Sequence, residues 1–449
     1  MTRFVQLLGV ATLALAAGCD ESPPPAGLAS IDAELRRAIG QWNVVPIGAM
    51  PSQNPARVAL GRALLFDKVL SGNRDIACAT CHDPAQHAAD GLPLAVGTGG
   101  TGEGPARMLG AGREFVPRSA PSLLNASLGL QYVFWDGRLT RHGLHPADSL
   151  DQPPLPATAH VLVAQAMLPV LNRREMRGEP GDVDVFGNPN ELAQFADTAA
   201  TAIWQAVVNR LLAIPEYVTL FNAAFPTVGT ANLRFVHAAE AIAAFQMAAL
   251  TKTNSPFDRY LNRDDAALSL EAKRGALLFF GEARCSTCHN GPFLGGNSFA
   301  NTGVPQLGPG VGAGTPLDLG RGEIFNNEFY RFVFRVVPLR NVELTAPYFH
   351  NGAFATLEGA VRHYTDVPTS LHTYDPAQLP PAVRDSYHGD AATIDAILAN
   401  LDFRVREPIE LTDAEIADLV AFLESLTDPA ARDLSALTPP SVPSGLPVP

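Results

Sequence analysis

The chain has 449 residues, 47% of them hydrophobic and 17% charged, with a net charge of −13 at pH 7. That length favours two domains rather than one core, and the composition describes a globular chain rather than a disordered one. The acidic balance, with a pI near 5.3, argues against nucleic acid or an anionic membrane surface as partner and suits docking to a basic protein.

In chain order, Arg3 and the apolar run Phe4 to Ala17 read as an export signal over residues 1–18. The run is shorter than the roughly 20 residues that a membrane span needs. Its end, Leu15-Ala16-Ala17-Gly18-Cys19, resembles a bacterial lipobox, which makes Cys19 the expected lipid anchor and residues 19–30 a tether. The expected location is therefore the periplasm, with the membrane contacted only through lipid. Helical spacing of apolar residues predicts helices over 55–65, 190–212, 232–250, 268–280 and 413–426. The last opens on Thr412-Asp413-Ala414-Glu415, a capping box. Gly-rich stretches at 97–112 and 308–322 read as long loops, and the Pro-rich tail 431–449 reads as disordered beyond Leu437.

Two five-residue words carry the chemistry, Cys78-Ala79-Thr80-Cys81-His82 and Cys285-Ser286-Thr287-Cys288-His289. Each is preceded by Ala-Leu-Leu-Phe, at 63–66 and at 276–279. This internal repeat predicts two related halves, 31–230 and 231–430, each a helical domain around its own cofactor. In C-x-x-C-H the two thiols can add to the vinyl groups of a haem while the histidine reaches the iron. A zinc ribbon would need its second C-x-x-C far closer, and neither site shows the βαβ context of a thioredoxin pair. Of the five cysteines, Cys19 would carry lipid and the other four fill the two words. Cys78, Cys81, Cys285 and Cys288 are thus the expected attachment points of two c-type haems, with His82 and His289 the first axial ligands. The fold class is mainly α, two cytochrome c-like helical haem domains packed together.

The second axial position decides between electron carrier and catalyst. No methionine follows Met247, so the C-terminal half offers His350, His363, His372, His388 and its tyrosines. Thr356 reads as an N-cap, and Leu357, Val361 and Tyr364 then fall on one helical face. Tyr364 points inward, as a core tyrosine or as an oxygen ligand that favours oxidised iron.

The segments "LGRALLFDKVLSGNRDIACATCHDP", "APSLLNASLGLQYVFWDGR", "NRREM", "CSTCHNGP", "NTGV" and "VPLRNVELTAPYFHNGAFATLEGAVRHY", in that order, resemble the bacterial di-haem cytochrome c peroxidases and their relative MauG. The resemblance spans roughly 55–426. It implies that peroxide reacts at the N-terminal haem and that the C-terminal haem stores or relays electrons. It places Tyr364 where the peroxidases carry a methionine ligand and MauG a tyrosine. It makes Glu175 of "NRREM" the distal acid–base residue and Trp135 the bridge between the haems. On residues alone, Glu175 sits in a charged run and Trp135 could be a core residue.

Three departures follow. No histidine lies in 98–117, where the peroxidases carry one that caps the first haem; the expectation is a first iron that is five-coordinate or water-bound. His87 lies nearby, too close to the motif to be matched with it. Ser119 stands where the family has a calcium-binding asparagine, so calcium would rest on backbone oxygens at Thr345 and Pro347. The 97–112 loop is longer and richer in glycine. Expected partners are hydrogen peroxide, a small cytochrome c or cupredoxin donor or else a protein substrate, and a second copy as a homodimer. The activity expected is cytochrome-c-peroxidase-like, with a di-haem electron-transfer cytochrome or a MauG-like oxidase modifying a partner protein as the alternatives.

Overall fold

The computed structural model describes residues 26–449 except 129, 141, 145–154, 156–158 and 313–314, and the backbone alone for 26–30. The expected signal segment 1–18 and Cys19 lie outside the described residues. The fold is mainly α. Helices α1 (Ala26–Gln41), α2 (Pro55–Phe66), α3 (Cys78–Cys81), α4 (Val161–Met167), α5 (Ala200–Leu212), α6 (Pro215–Ala224) and α7 (Phe235–Ala249) are followed by α8 (Pro256–Leu261) and α9 (Leu270–Phe280). The chain continues through α10 (Arg321–Phe325), α11 (Leu357–Thr365), α12 (Val367–His372), α13 (Pro381–Arg384), α14 (Ala391–Ala399) and α15 (Asp413–Glu424). Strand content is small: β1 (Tyr132–Val133), β2 (Leu139–Thr140) and β3 (Gly143–Leu144) form one antiparallel ribbon, and β4 (Phe299–Ala300) pairs with β5 (Phe334–Arg335).

Each half is built on one helix crossing. Asn54 caps α2 by accepting from Ala56 N and Arg57 N, with Pro55 in the first turn. The buried face of α2 crosses α7 at Gly61, where an added Cβ would lie 1.9 Å from Ala241 O. In the second half, Ser269 caps α9 and the capping box of Thr412 and Glu415 opens α15. These two cross at Gly275, where a Cβ would lie 1.8 Å from Asp418 O. Only glycine allows backbones so close. Phe257, Phe279 and Phe280 pack around Phe422, with ring centroids 5.1 to 5.9 Å away.

The predicted helix over 190–212 is broken. A 3-10 turn at Leu192–Gln194 is followed by irregular backbone as far as α5. Polar side chains divert the chain: Asn190 accepts from Ala193 N and donates to Asn73 Oδ1 and Arg177 O, while Asp197 pairs with Arg173 and Arg177.

The ends of the chain exchange halves. Leu35 and Ile39 of α1 are buried in the second core with α9 and α15, and Lys273 Nζ reaches Asp32 at 2.9 Å. The Pro-rich tail is ordered, which corrects the expectation of disorder beyond Leu437. Val442 and Leu446 are buried in the first core, Ser444 Oγ donates to Asp67 Oδ1 at 2.6 Å, and Arg62 Nε donates to Leu437 O at 2.8 Å. Helix α7, beyond the expected division at 230, also packs in the first core. The buried Arg118 guanidinium ties the halves by donating to Asp318 at 2.6 and 2.8 Å and to Asp136.

Candidate haem sites

After α2 the chain turns through Asp67, whose side chain accepts from Val69 N, and delivers α3 with its two cysteines. Cys78, Cys81 and His82 wall a cavity together with Gln165, Glu175, Met176 and Gln246. His82 Nδ1 lies 3.3 Å from the Ala88 carbonyl. A carbonyl can only accept, so Nδ1 carries the proton and Nε2 keeps its lone pair for a metal. In the second half His289 Nδ1 makes the same bond, to Leu294 O at 3.1 Å. Burial holds both imidazoles neutral, with pKa values lowered to about 4. The four thiols are free of disulfides, and burial pushes those of Cys78 and Cys285 up to about 12. A C-x-x-C pair, neutral imidazole and apolar wall at each site fit a covalently held haem. The first cavity is small, about 30 Å³, and the second larger, about 190 Å³.

Glu175 lies in the short π-helical turn Arg173–Arg177, with Asn172 Oδ1 accepting from Arg174 N and Glu175 N. The neighbouring arginines are engaged elsewhere: Arg173 and Arg177 with Asp197, Arg174 with Glu114. The arginines of the run thus pair with exposed carboxylates, and Glu175 alone of it lines the cavity with the cysteines. Thr98 N donates to Glu175 O at 2.9 Å. Gly97 allows that approach, since a Cβ there would lie 1.9 Å from Arg174 O. Burial raises the Glu175 pKa to about 7, against the opposing charge of Arg138. Among the described residues, His82 is the one histidine in this lining. His87 faces away, its Nδ1 donating to Ala431 O at 3.1 Å. Gln165 and Gln246 went unnoticed in the sequence because a lone glutamine on a helix carries no pattern.

The second cavity is walled by Cys285, Cys288, His289 and Tyr364. Thr356 caps α11 through its side chain, as expected, and Tyr364 contacts Phe349 at 5.6 Å between centroids. Burial pushes the Tyr364 phenol well above its usual value, so ligation as phenolate would need the charge of a metal. His363 is spent, with Nε2 donating to Thr302 O at 2.8 Å and Nδ1 2.9 Å from Ser370 Oγ. His388 Nε2 donates to Gly308 O at 3.1 Å, and His372 is exposed. Of the four candidate histidines, only His350 reaches this lining.

Trp135 lines the second cavity. Its Nε1 donates to Ser119 O at 2.9 Å, and its carbonyl accepts from Arg335 N at 2.7 Å. Ser119 spends its hydroxyl on Leu92 O at 3.2 Å. Among the described residues no group of three His, Cys, Asp or Glu gathers to hold a metal. Calcium at Thr345 and Pro347 would thus rest on carbonyls and water, the weak end of its usual ligand range.

The family description "Di-haem cytochrome c peroxidase" matches residues 55–266. The methylamine utilization protein MauG of Methylorubrum extorquens is 31% identical over 413 residues, covering 91% of this chain and 88% of that one. The chain belongs to the di-haem cytochrome c peroxidase and MauG family. Cytochrome c551 peroxidase of Pseudomonas aeruginosa is 35% identical over 302 residues, or 67% of this chain and 69% of that one. Among solved structures, a MauG-like protein associated with microbial copper homeostasis covers 89% of this chain and 97% of its own, with a TM-score of 0.60 at 24% identity. The diheme peroxidase BthA from Burkholderia thailandensis aligns with a TM-score of 0.57 at 21% identity, over 87% and 93%. Those two likenesses concern the fold. As a family member the chain is a peroxidase-like oxidoreductase with haem cofactors.

Proposed function

We propose that the chain is an exported periplasmic peroxidase, anchored through Cys19, that reduces hydrogen peroxide to water with two electrons and two protons. One haem is attached at Cys78 and Cys81 with His82 as ligand, the other at Cys285 and Cys288 with His289 and Tyr364. A haem at the first site supplies the iron on which the peroxide O–O bond is cleaved. The observation that carries this reading is Glu175, a carboxyl with a pKa near 7 in the cavity that Cys78, Cys81 and His82 wall. Such a group accepts a proton from the near peroxide oxygen and returns it to the far one, at little cost either way near neutral pH. Trp135 passes electrons between the halves, and a small cytochrome c, a cupredoxin or a protein substrate supplies them.

The test is Glu175→Gln, which keeps the shape and removes the proton carrier. Peroxide turnover should fall by about 10²–10⁴-fold while haem content and the resting spectrum stay unchanged. Undiminished turnover sinks the role of Glu175, and no turnover in the parent protein leaves an electron-transfer cytochrome. The position of Tyr364 favours a second reading, a MauG-like oxidase acting on a partner protein; peroxide consumption that depends on such a protein, with small cytochromes inert, would select it.

A further inference from the structure

The turn after the first C-x-x-C-H word holds its backbone in an unusual state. His87 (φ 55°) and Ala88 (φ 60°) both lie in the left-handed region, the one place among the described residues where two successive non-glycine residues do so. A side chain there crowds its own backbone, so such a pair persists only where its surroundings hold it. The corresponding turn after His289 uses glycines instead, with Gly291, Gly295 and Gly296 at positive φ around Leu294.

What the strained turn presents is the Ala88 carbonyl. It accepts from His82 Nδ1 at 3.3 Å and from Leu123 N at 3.0 Å, and Ala88 itself is buried. Three bonds hold the turn. Ala88 N donates to Asp83 O at 2.8 Å, Ser122 Oγ donates to His87 O at 2.7 Å, and His87 Nδ1 donates to Ala431 O at 3.1 Å. The last of these reaches furthest along the chain, because Ala431 follows α15 and its place is fixed from the second half. Asp428 accepts from Ala430 N and Asn254 N, and its own N donates to Asn341 Oδ1, each at 2.8 Å. His87 thus ties the carbonyl behind His82 to a buried anchor.

We infer that His87 is a positioning residue for His82: its bond to Ala431 keeps the strained turn in place, and with it the Ala88 carbonyl that accepts from His82 Nδ1. The inference rests on the first cavity holding haem, as proposed above, and not on peroxide chemistry. A hydrogen bond donated from Nδ1 makes the imidazole a stronger donor to iron and so favours the oxidised metal. Without the His87 tether the turn relaxes, that bond weakens, and the first iron becomes easier to reduce.

The test uses the intact di-haem protein with His87→Ala and His87→Asn, read by redox titration of each haem and by the iron–histidine stretching band of the reduced first haem. His87→Ala deletes the tether. His87→Asn keeps an N–H donor at the same number of bonds from the backbone and tolerates the left-handed region. His87→Ala should shift the first haem about tenfold towards ferrous, the scale of losing a ligand's supporting partner, or about 59 mV higher for one electron. The stretching band should fall in frequency, the second haem should not move, and His87→Asn should restore both readings. Lower melting with unchanged potential and band, in His87→Ala protein carrying both haems, overturns the inference, and so does an equal shift at both haems. Should no His87→Ala protein with both haems be obtained, Ser122→Ala removes a second hold on the same turn. A smaller shift in the same direction there supports the inference, and none overturns it. Shifts without any peroxide turnover sink the peroxidase reading alone, and a parent protein without haem at the first site sinks both.

Discussion

Glu175 is a case of one residue whose chemistry is set by what surrounds it. An ordinary glutamate is ionised at any working pH, whereas burial brings this one to about 7. Its folded-state pKa is raised, so the base form appears only as pH climbs through that value. If proton acceptance by Glu175 limits the rate, kcat/KM for peroxide should rise through about pH 7, and a pH profile of Glu175→Gln should lack that inflection. Tyr364 poses the complementary question. Tyr364→Phe keeps the ring that packs on Phe349 and deletes only the oxygen, so the protein should stay folded and lose one ligand signature at the second haem. An unchanged low-spin spectrum would point to another donor, with His350 the one histidine besides His289 in this lining among the described residues. Helical period placed Tyr364 inward.

At the scale of elements, the repeat is in register on its glycines. The Ala-Leu-Leu-Phe words align Ala63 with Ala276, yet the packed equivalents are Gly61 and Gly275, one residue off that alignment, each the point where a second helix crosses. Backbone approach, rather than side-chain identity, defines the repeat. Gly61→Ala and Gly275→Ala should each cost about 1–3 kcal/mol, since the obstructing atom is a backbone carbonyl that cannot rotate away. Gly48→Ala, with nothing within 4 Å, is the control for thermal melts, and equal melting of all three would refute the close-packing account. Of the elements read correctly from sequence, α2, α9 and α15 join an apolar face to a capping side chain, while α7 was legible from its apolar face alone. The segment 190–199 failed because Asn190 and Asp197 find partners distant in sequence, which no local pattern records.

For the whole molecule, the termini act as straps. The α1 helix closes the second half: Trp42 Nε1 donates to Phe280 O at 3.2 Å and the Trp42 carbonyl accepts from Gly291 N at 3.0 Å, just past His289. The tail closes the first. Deleting 438–449 should expose the faces that Val442 and Leu446 cover and release Asp67 from Ser444. At about 1.5–3 kcal/mol per buried side chain, melting monitored at the first haem should drop while the second is spared. Between the halves, Arg118→Met leaves Asp136 and Asp318 buried without their shared cation and should cost about 3–5 kcal/mol. Both carboxyls are held below their usual range against the burial that would raise them, Asp136 by Arg138 and Arg118 and Asp318 by Arg118. Their contribution is present above the ordinary carboxylate pKa and is lost as pH falls, so acid unfolding monitored in the Arg118→Met variant should lose that component. The same acid profile in both proteins would show that the clasp contributes nothing.

The sequence by itself determined the chemistry that depends on adjacency: two C-x-x-C-H sites, the helices around them, their duplication, and an oxidoreductase family. Those features are local, because thiol and imidazole must lie a few bonds apart and an amphipathic helix repeats every few residues. Only the tertiary structure decided which helices pair, that the Pro-rich tail is part of the first core, and that Glu175 is buried in the first cavity. These depend on burial and on partners hundreds of residues away, and desolvation is a property of a place in the fold rather than of any stretch of chain.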